Sequence, residues 1–325
     1  MKKRASLVLA LLLLFAFAGC RYQPNKLSRT DYLLDTVVTL TLYGAGEADL
    51  DAAFGEIRRL SDLMDAYSPA SDLGRLQAAA GQAPVKIAPE TMELLLFARD
   101  MYEKTAGRLD VTVGPLIDLW NIRGGGHFPT EAERSAALSL LGMDDLVLNE
   151  TDSTAYLARP GMRLDLGALA KGYIADRVKA LLLDRGVNSG VIDLGRNILL
   201  LGEKPGGEAF SIGIQSPGEA GELLRVLALR DRSLVTSGTY ERYFDYGGQR
   251  YHHVLDPFTG FPAEKGLLAV TVLSDSSLLG DTLSTACLLL GVDEGLKLVD
   301  SLSEAEAFFV LEDGSVRTTA GFPES

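Results

Sequence analysis

The chain has 325 residues, of which 31 are basic and 44 are acidic, so its formal net charge is −13. So acidic a chain is not expected to bind nucleic acid or a membrane through a basic surface. Its length is sufficient for one large hydrophobic core or two smaller ones. Only two cysteines are present, Cys20 and Cys287, and Cys287 lies in an apolar helical pattern that is typical of buried packing. We therefore expect no disulfide framework.

The N terminus has the layout of a secretory signal. Lys2, Lys3 and Arg4 are followed by an apolar run over residues 7–18, which is too short to span a bilayer comfortably. The string Phe-Ala-Gly-Cys that ends at Cys20 resembles the lipobox of bacterial lipoproteins, in which the cysteine becomes the lipidated first residue of the mature chain. The alternative is a plain signal peptide in which Cys20 is incidental.

Three segments are expected from this pattern. Residues 1–19 are predicted to be a lipoprotein signal peptide, residues 20–30 a lipidated tether, and residues 31–325 the folded domain. The lipid on Cys20 would hold the protein at the extracytoplasmic face of the cell membrane, because the acidic chain offers no polybasic patch as an anchor.

The first half of the chain is predicted to contain one clear strand and several helices. Alternating β-branched residues predict a strand over Asp35–Tyr43. Apolar residues at helical spacing predict an amphipathic helix over Ala48–Ala66. Pro89 at a first turn opens a second helix that continues to Lys104, and Pro129 starts another short helix after a triple glycine.

The second half is predicted to be richer in strands. A helix over Ala168–Arg185 is expected to end at Gly186. Apolar runs bounded by turn residues predict strands over residues 190–194, 198–201, 210–215, 224–229, 250–255 and 268–273. A last long helix spans about Ser277–Leu290, and Asp313-Gly314 predicts a hairpin between strands over 306–311 and 315–318. Because helices and strands are interspersed without a strict βαβ rhythm, we expect an α+β fold of mixed sheets and packed helices.

The string LDLGALAKGY, residues 164–173, combines a carboxylate and a lysine around a predicted strand-to-helix turn. Gly167 lets a ligand approach the backbone, and the free amide groups of a helix start, together with Lys171, suit a phosphate. The alternative is that Asp165 caps the helix and Lys171 is solvated. The spacing of a phosphate-binding P-loop is absent.

Two of the three histidines are adjacent in the string YHHVLDPFTG. If residues 250–255 form a strand, successive side chains point to opposite faces, so His252 and His253 cannot both face one site. Adjacent histidines are also a poor chelate, and a structural role for both remains the alternative.

The string GDTLST begins the last long helix and places two oxygen-bearing side chains one turn apart. Asp281 and Thr285 share a helix face at this spacing. A carboxylate and a hydroxyl are hard ligands that suit Mg²⁺ or Ca²⁺ and not Zn²⁺. The alternative is an acidic residue that is favoured near a helix start by the helix dipole.

The strings taken together are more specific than any one of them. The chain contains, in this order, DTVVT, YSPASDLGRL, LDVTVGPL, LDLGALAKGY, DLGRN, SGTYERYF, YHHVLDPFTG and DTLSTA. This series resembles the FAD:protein FMN transferase (ApbE) family from Asp35 to nearly the C terminus. The resemblance implies an ApbE-like, T-fold-like α+β architecture with a FAD cleft, and makes residues 31–325 a flavin transferase catalytic domain.

The resemblance also implies roles for individual residues. The side chains of Asp281 and Thr285 and the backbone carbonyl of Ala168 match ligands of Mg²⁺. The positions that match FAD contacts or line the cleft are Tyr67, Asp110, Val111, Asp165, Lys171 and Val254. His253 is preferred over His252 for the catalytic role, because similar members keep the second histidine of this motif.

The implied reaction is a phosphoryl transfer. A threonine or serine hydroxyl of a partner protein attacks the FMN-side phosphorus of FAD, and AMP leaves. The partner would be a flavin-accepting extracytoplasmic protein, such as a subunit of a membrane redox pump. Two alternatives remain open, a FAD pyrophosphatase on the same fold, which forms FMN and AMP with water, and a non-enzymatic flavin-binding lipoprotein.

The chain departs from the commonest family pattern at two turns. Leu34-Asp35-Thr36 stands where many members have Met-Gly-Thr, and Arg196 stands where a second glycine is frequent. The second change puts a long cationic side chain near the expected nucleotide cleft. We expect Arg196 to contribute to phosphate binding or to narrow the choice of substrate.

Overall fold

The computed structural model describes residues 24–218 and 221–324. The predicted signal peptide, residues 1–19, and the predicted lipidation site Cys20 lie outside these residues, so the lipoprotein assignment and the membrane location stay predictions. In the two described ranges, no helix is both long enough and apolar enough to cross a membrane.

Fifteen strands and eight α-helices are found in the described ranges. The strands are β1 (Lys26–Leu33), β2 (Thr36–Tyr43), β3 (Val85–Lys86), β4 (Leu146–Asn149), β5 (Thr154–Leu157), β6 (Gly190–Leu194), β7 (Asn197–Leu201), β8 (Phe210–Gln215), β9 (Leu223–Leu229), β10 (Ser233–Gly238), β11 (Tyr243–Tyr246), β12 (Gln249–His252), β13 (Leu267–Ser274), β14 (Ala305–Leu311) and β15 (Val316–Thr318). The helices are α1 (Glu47–Met64), α2 (Asp72–Ala78), α3 (Pro89–Lys104), α4 (Gly114–Trp120), α5 (Glu131–Leu138), α6 (Ala170–Asp184), α7 (Ser277–Leu290) and α8 (Val292–Asp300).

An eight-stranded sheet forms the centre of the fold. Its strand order is β1-β2-β6-β7-β10-β13-β14-β15, and all its pairs are antiparallel. Three small sheets accompany it, formed by β3-β5-β4, by β8-β9 and by β11-β12. Helices and antiparallel sheets in this arrangement confirm the predicted α+β class.

The two faces of the central sheet are covered by different elements, as the period of two along each strand requires. On β13, Val270 and Val272 are buried with residues of α7 and α8. Their neighbours Ala269 and Leu273 are buried on the opposite side, with residues of β8 and β9. Helices therefore cover one face, and the β8-β9 hairpin covers the other.

Most elements match the sequence-based predictions, and two predicted segments need correction. Residues 26–30 of the expected tether pair with β2 as part of strand β1, where Arg29 contacts Glu47 and Asp51 of α1. The predicted strand over residues 250–255 ends at His252. Strand β1 was missed because its residues alternate between exposed and half-buried, so it lacks an apolar face.

Helices α6 and α7 pack closely because Gly172 has no side chain. A Cβ at this position would lie 2.3 Å from the carbonyl oxygen of Ser277 and 2.7 Å from Cα of Leu278. Both of those atoms belong to the backbone of α7, which cannot rotate away as a flexible side chain does. Gly172 therefore sets the distance between the two helices.

We predict that Gly172→Ala destabilises the protein, although alanine favours helices. The added methyl group overlaps the α7 backbone, and such overpacking costs about 1–3 kcal/mol of unfolding free energy. The matched control is Gly55→Ala in α1, where a Cβ meets nothing within 4 Å. Gly55→Ala should raise the free energy of unfolding of the protein by about 0.5–1 kcal/mol. Thermal unfolding of both variants measures the difference, and equal midpoints would contradict the packing constraint.

Candidate functional site

One cavity of about 500 Å³ is lined by residues from both halves of the chain. The ten residues that the sequence predicted for a functional site all line it, namely Tyr67, Asp110, Val111, Asp165, Ala168, Lys171, His253, Val254, Asp281 and Thr285. Residues that are far apart in the sequence thus share one wall. The structure establishes their proximity, and their individual roles stay predictions.

Two of the predicted segments are joined by the backbone. The N–H of Asp165 donates to the carbonyl of Val111 at 2.8 Å, which places the LDLG and LDVTV segments side by side. Each segment also holds its own carboxylate in a tight turn. Asp165 Oδ1 accepts from the N–H of Gly167 at 2.8 Å, and Asp110 Oδ1 accepts from the N–H of Thr112 at 2.7 Å. Burial raises the pKa of both carboxyl groups.

Asp281 is a buried carboxylate at the junction of α6 and α7. Its Oδ2 accepts from the N–H of Gly172 at 2.9 Å, and its Oδ1 lies 3.6 Å from Nζ of Lys171. Burial raises the pKa of Asp281, while the positive charge of Lys171 and the Gly172 N–H oppose that shift. Oδ1 of Asp281 therefore lies near the Lys171 ammonium group but accepts no short hydrogen bond from it.

Two oxygen atoms lie on the same cavity wall as this carboxylate and could, with it, hold a hard divalent cation. Thr285 follows Asp281 by one helical turn, and its Oγ1 has only a long contact of 3.4 Å to Ser237. The N–H of Gly172 donates to Asp281, and no backbone N–H in the described residues donates to the Ala168 carbonyl. An unpaired carbonyl, a hydroxyl and a carboxylate are ligands that Mg²⁺ and Ca²⁺ accept.

These three oxygen ligands include only one charged side chain, unlike a metal centre built from several His, Cys, Asp or Glu side chains. In the part of the chain that the structure describes, no group of three or more His, Cys, Asp or Glu side chains could hold a metal ion. A cation at Asp281 would therefore depend on neutral oxygen atoms and water for its remaining ligands, as Mg²⁺ commonly does.

The two adjacent histidines have different surroundings. His252 Nε2 lies 3.0 Å from the carbonyl of Ala263, and its Nδ1 accepts from the N–H of Val254 at 3.3 Å, so both ring nitrogens are used. His253 lines the cavity, and its Nδ1 lies 3.2 Å from the carbonyl of Arg242. The sequence argument that the two side chains face different sites therefore holds, although the strand ends at His252.

The hydrogen bond of His253 determines which ring nitrogen is available. A carbonyl only accepts, so Nδ1 must carry the proton and Nε2 keeps its lone pair. Nε2 has no hydrogen-bond partner among the described residues. Burial lowers the pKa of His253 to about 4, opposed by the bond to Arg242, so the ring is neutral at pH 7. His253 is thus arranged to accept a proton.

Tyr67 lies at an exposed edge of the cavity. Its hydroxyl donates to Asp118 at 3.2 Å, and Asp118 is paired with Arg163 at 2.6 Å. Burial and the charge of Asp118 raise the pKa of Tyr67 to about 12, so the hydroxyl stays protonated at neutral pH. The residue is 59% exposed, and the Arg163 guanidinium lies 5.6 Å from the centre of its ring, so the rest of the ring is accessible to a planar ligand.

Several charged residues of the cavity wall were not predicted from the sequence, namely Arg108, Asp118, Arg123, Glu241 and Arg242. Only Glu241 and Arg242 lie in one of the strings that were singled out, so the other three had no signal in the sequence.

Arg196, expected near the nucleotide, is not among the lining residues. Its guanidinium lies 3.1 Å from Glu241 and donates to the Tyr240 hydroxyl at 2.8 Å. The charge of Arg196 is therefore already paired beside the cavity, and its predicted part in phosphate binding or substrate choice stays a prediction.

Comparison with known proteins agrees with this geometry. The model of the ApbE family matches residues 34–309. A FAD:protein FMN transferase of Klebsiella pneumoniae is 37% identical over 87% of this chain and 89% of its own length, and one of Treponema pallidum is 34% identical over 93% and 89%.

Solved structures give the same result for the fold. The ApbE protein of Thermotoga maritima superposes with a TM-score of 0.85 at 27% identity, covering 91% of this chain and 97% of its own. The flavinyl transferase ApbE of Pseudomonas stutzeri gives 0.82 at 28% identity, covering 92% and 96%. Because the family model matches most of this chain, the chain belongs to the ApbE family.

Proposed function

We propose that this chain is a Mg²⁺-dependent FAD:protein FMN transferase, which attaches FMN covalently to a threonine or serine of a partner protein and releases AMP. The observation that carries the proposal is the cavity, which gathers all ten residues that match the family's functional positions. Membership of the ApbE family and the relatives named as FAD:protein FMN transferases support the reaction.

The residues of the cavity can be assigned to steps of this transfer. The partner's hydroxyl oxygen bonds to the FMN-side phosphorus of FAD, and the bond from that phosphorus to the bridging oxygen breaks. The bridging oxygen keeps the electron pair and leaves as part of AMP. Nε2 of His253, unprotonated at neutral pH, accepts the hydroxyl proton.

The charges of a pyrophosphate need compensation in such a cavity. Asp281, Thr285 and the Ala168 carbonyl would hold Mg²⁺, which supplies charge neutralisation at the pyrophosphate when bound. Lys171, at 3.6 Å from Asp281, adds a second positive charge at the same wall. Asp165, Tyr67, the Asp110-Val111 segment and Val254 would contact the flavin nucleotide, as the family resemblance implies.

The first prediction separates transfer from hydrolysis. Incubation of the protein with FAD, Mg²⁺ and a flavin-accepting domain should give a covalent adduct whose mass exceeds that of the domain by one FMN less water. The adduct should be absent when the acceptor hydroxyl is removed by Thr→Val. Free FMN and AMP without an adduct would instead indicate a FAD pyrophosphatase, and no turnover of FAD would indicate a binding protein.

The second prediction concerns the two histidines. His253→Ala should slow adduct formation by roughly 10²- to 10⁴-fold, the usual scale for loss of a general base, with a much smaller change in FAD affinity. His252→Ala is the matched control, because that ring is hydrogen-bonded to backbone groups and does not line the cavity. A larger defect in the His252 variant would reverse the assignment.

The same assignment has a consequence for pH. A base works only when it is unprotonated, so its activity is lost as the pH falls through its pKa. Because burial lowers the pKa of His253 from 6.5 to about 4, transfer should persist well below pH 6.5. An acid limb of kcat/KM centred near 6.5, absent in His253→Ala, would show that the imidazole is not buried as described.

The third prediction compares the two side-chain ligands of Mg²⁺. Asp281 supplies the only formal negative charge among the three proposed oxygen ligands, so Asp281→Ala should raise the Mg²⁺ concentration needed for transfer more than Thr285→Ala does. Added Mg²⁺ should rescue the threonine variant first. Titration of Mg²⁺ against adduct formation measures both. Wild-type activity of Asp281→Ala in a chelator would place the metal elsewhere.

A further inference from the structure

The basic residues of the cavity wall are not equally paired. Four basic side chains line the cavity, and three of them have a carboxylate oxygen within 4 Å. The pairs are Arg108 with Asp256 at 2.7 Å, Arg123 with Asp35 at 2.5 Å and Lys171 with Asp281 at 3.6 Å. For the fourth, Arg242, no carboxylate of the described residues lies within that distance. Arg242 therefore lines the cavity without a direct ion pair, and the carboxylates of Asp35 and Glu241 act on it only from beyond 4 Å.

The surroundings of Arg242 make this charge costly to hold. Its side chain is half-buried, and its one hydrogen bond among the described residues is from Nη2 to the carbonyl of Asp35 at 3.2 Å. Burial and the nearby guanidinium of Arg123 lower the pKa of Arg242, and the negative charges of Asp35 and Glu241 oppose that shift. The guanidinium is protonated at neutral pH. A half-buried cation beside another cation is stabilised when an anion binds between them.

The position of Arg242 connects this charge to the candidate base. The backbone carbonyl of Arg242 accepts from the N–H of His253 at 3.0 Å and from Nδ1 of its ring. The Arg242 guanidinium also acts electrostatically on both His253 and Asp165. Arg242 thus lines the same cavity as the proton acceptor and a residue expected to contact FAD, and its charge acts on both.

We propose that Arg242 is a further catalytic residue, whose guanidinium binds the phosphoryl group that is transferred. This assignment rests on the proposed function. As the acceptor oxygen bonds to the FMN-side phosphorus and the bridging oxygen leaves with AMP, the non-bridging oxygens carry the charge that Arg242 contacts. The hydroxyl proton goes to Nε2 of His253. A guanidinium suits this task because its planar N–H donors match two phosphate oxygens at once.

The geometry favours the phosphoryl group over a carboxylate of the acceptor protein. The backbone carbonyl of Arg242 orients the His253 ring, and the Arg242 and His253 side chains line the same cavity. The Mg²⁺ ligands proposed above belong to α7 and the start of α6, so Arg242 reaches the phosphate from a different element of the cavity wall. The alternative is that Arg242 binds a carboxylate of the acceptor protein, and the following experiment distinguishes the two.

The test compares two flavins that differ only in the phosphate. FMN carries a terminal phosphate and riboflavin does not, and quenching of flavin fluorescence measures the affinity of each without any transfer. Arg242→Gln should weaken FMN binding by roughly 10- to 100-fold, the range for a hydrogen bond to a charged group, and leave riboflavin binding unchanged. Arg242→Lys keeps the positive charge and loses the planar set of N–H donors, so its FMN affinity should lie between those of the wild type and of Arg242→Gln.

The matched control is Arg250→Gln. Arg250 lies on strand β12 of the hairpin that follows Arg242, is exposed, and pairs with Asp245 at 3.4 Å outside the cavity. This variant loses the same charge and should bind both flavins like the wild type. In the transfer assay, Arg242→Gln should lower kcat by about 10²- to 10³-fold, as removal of one stabilising donor does.

Each other result contradicts the proposal in a distinct way. Equal weakening of FMN and riboflavin by Arg242→Gln would show that the side chain only maintains the cavity. Unchanged FMN affinity with a raised KM for the acceptor would assign Arg242 to the partner protein. Failure of the wild type to bind either flavin would contradict the proposed function itself, and the Arg242 assignment with it.

Discussion

The contact between α6 and α7 is the constraint on which the cavity depends. Gly172 lets the two helices approach, and its N–H then reaches the buried carboxylate of Asp281 at 2.9 Å. Burial raises the pKa of Asp281, and this bond opposes that shift together with the charge of Lys171. It also diverts the N–H that a regular helix would direct to the carbonyl of Ala168, which leaves that oxygen unpaired at the cavity wall. The absence of a side chain at Gly172 thus permits the short helix distance, the hydrogen bond to Asp281 and the free Ala168 carbonyl together.

The local parts of this arrangement were predictable from the sequence. The period of an α-helix places Asp281 and Thr285 on one face whatever surrounds them, and the boundaries of α3 and α7 follow from Pro89 and the flanking turn residues. The resemblance of ordered strings to a known family then predicted which distant segments meet. All ten predicted residues line the cavity because the strings occupy turns and helix starts whose backbone geometry is itself part of the site.

The rest depended on tertiary contacts that no local pattern encodes. Arg123 faces the cavity because its segment turns back toward the β1-β2 hairpin, and nothing in that segment indicates the direction. The pairing of Arg196 with Glu241 likewise joins turns 45 residues apart. Strand β1 lacks an apolar face because it is the edge of the sheet, so the periodicity that revealed β2 was absent. The strand order itself required the structure.

The turn between β1 and β2 has a backbone conformation that usually favours glycine. Leu34 and Asp35 both have positive φ, 55° and 54°, the pattern of a two-residue hairpin loop in which glycine is common. Asp35 accepts that backbone at a cost of about 1 kcal/mol and contributes a carboxylate that binds Arg123, 88 residues away. An exposed ion pair between Asp35 and Arg123 therefore connects this turn to the cavity wall, and dissolved salt weakens that ion pair. The contribution of this ion pair to the position of the Arg123 side chain therefore falls as the ionic strength rises.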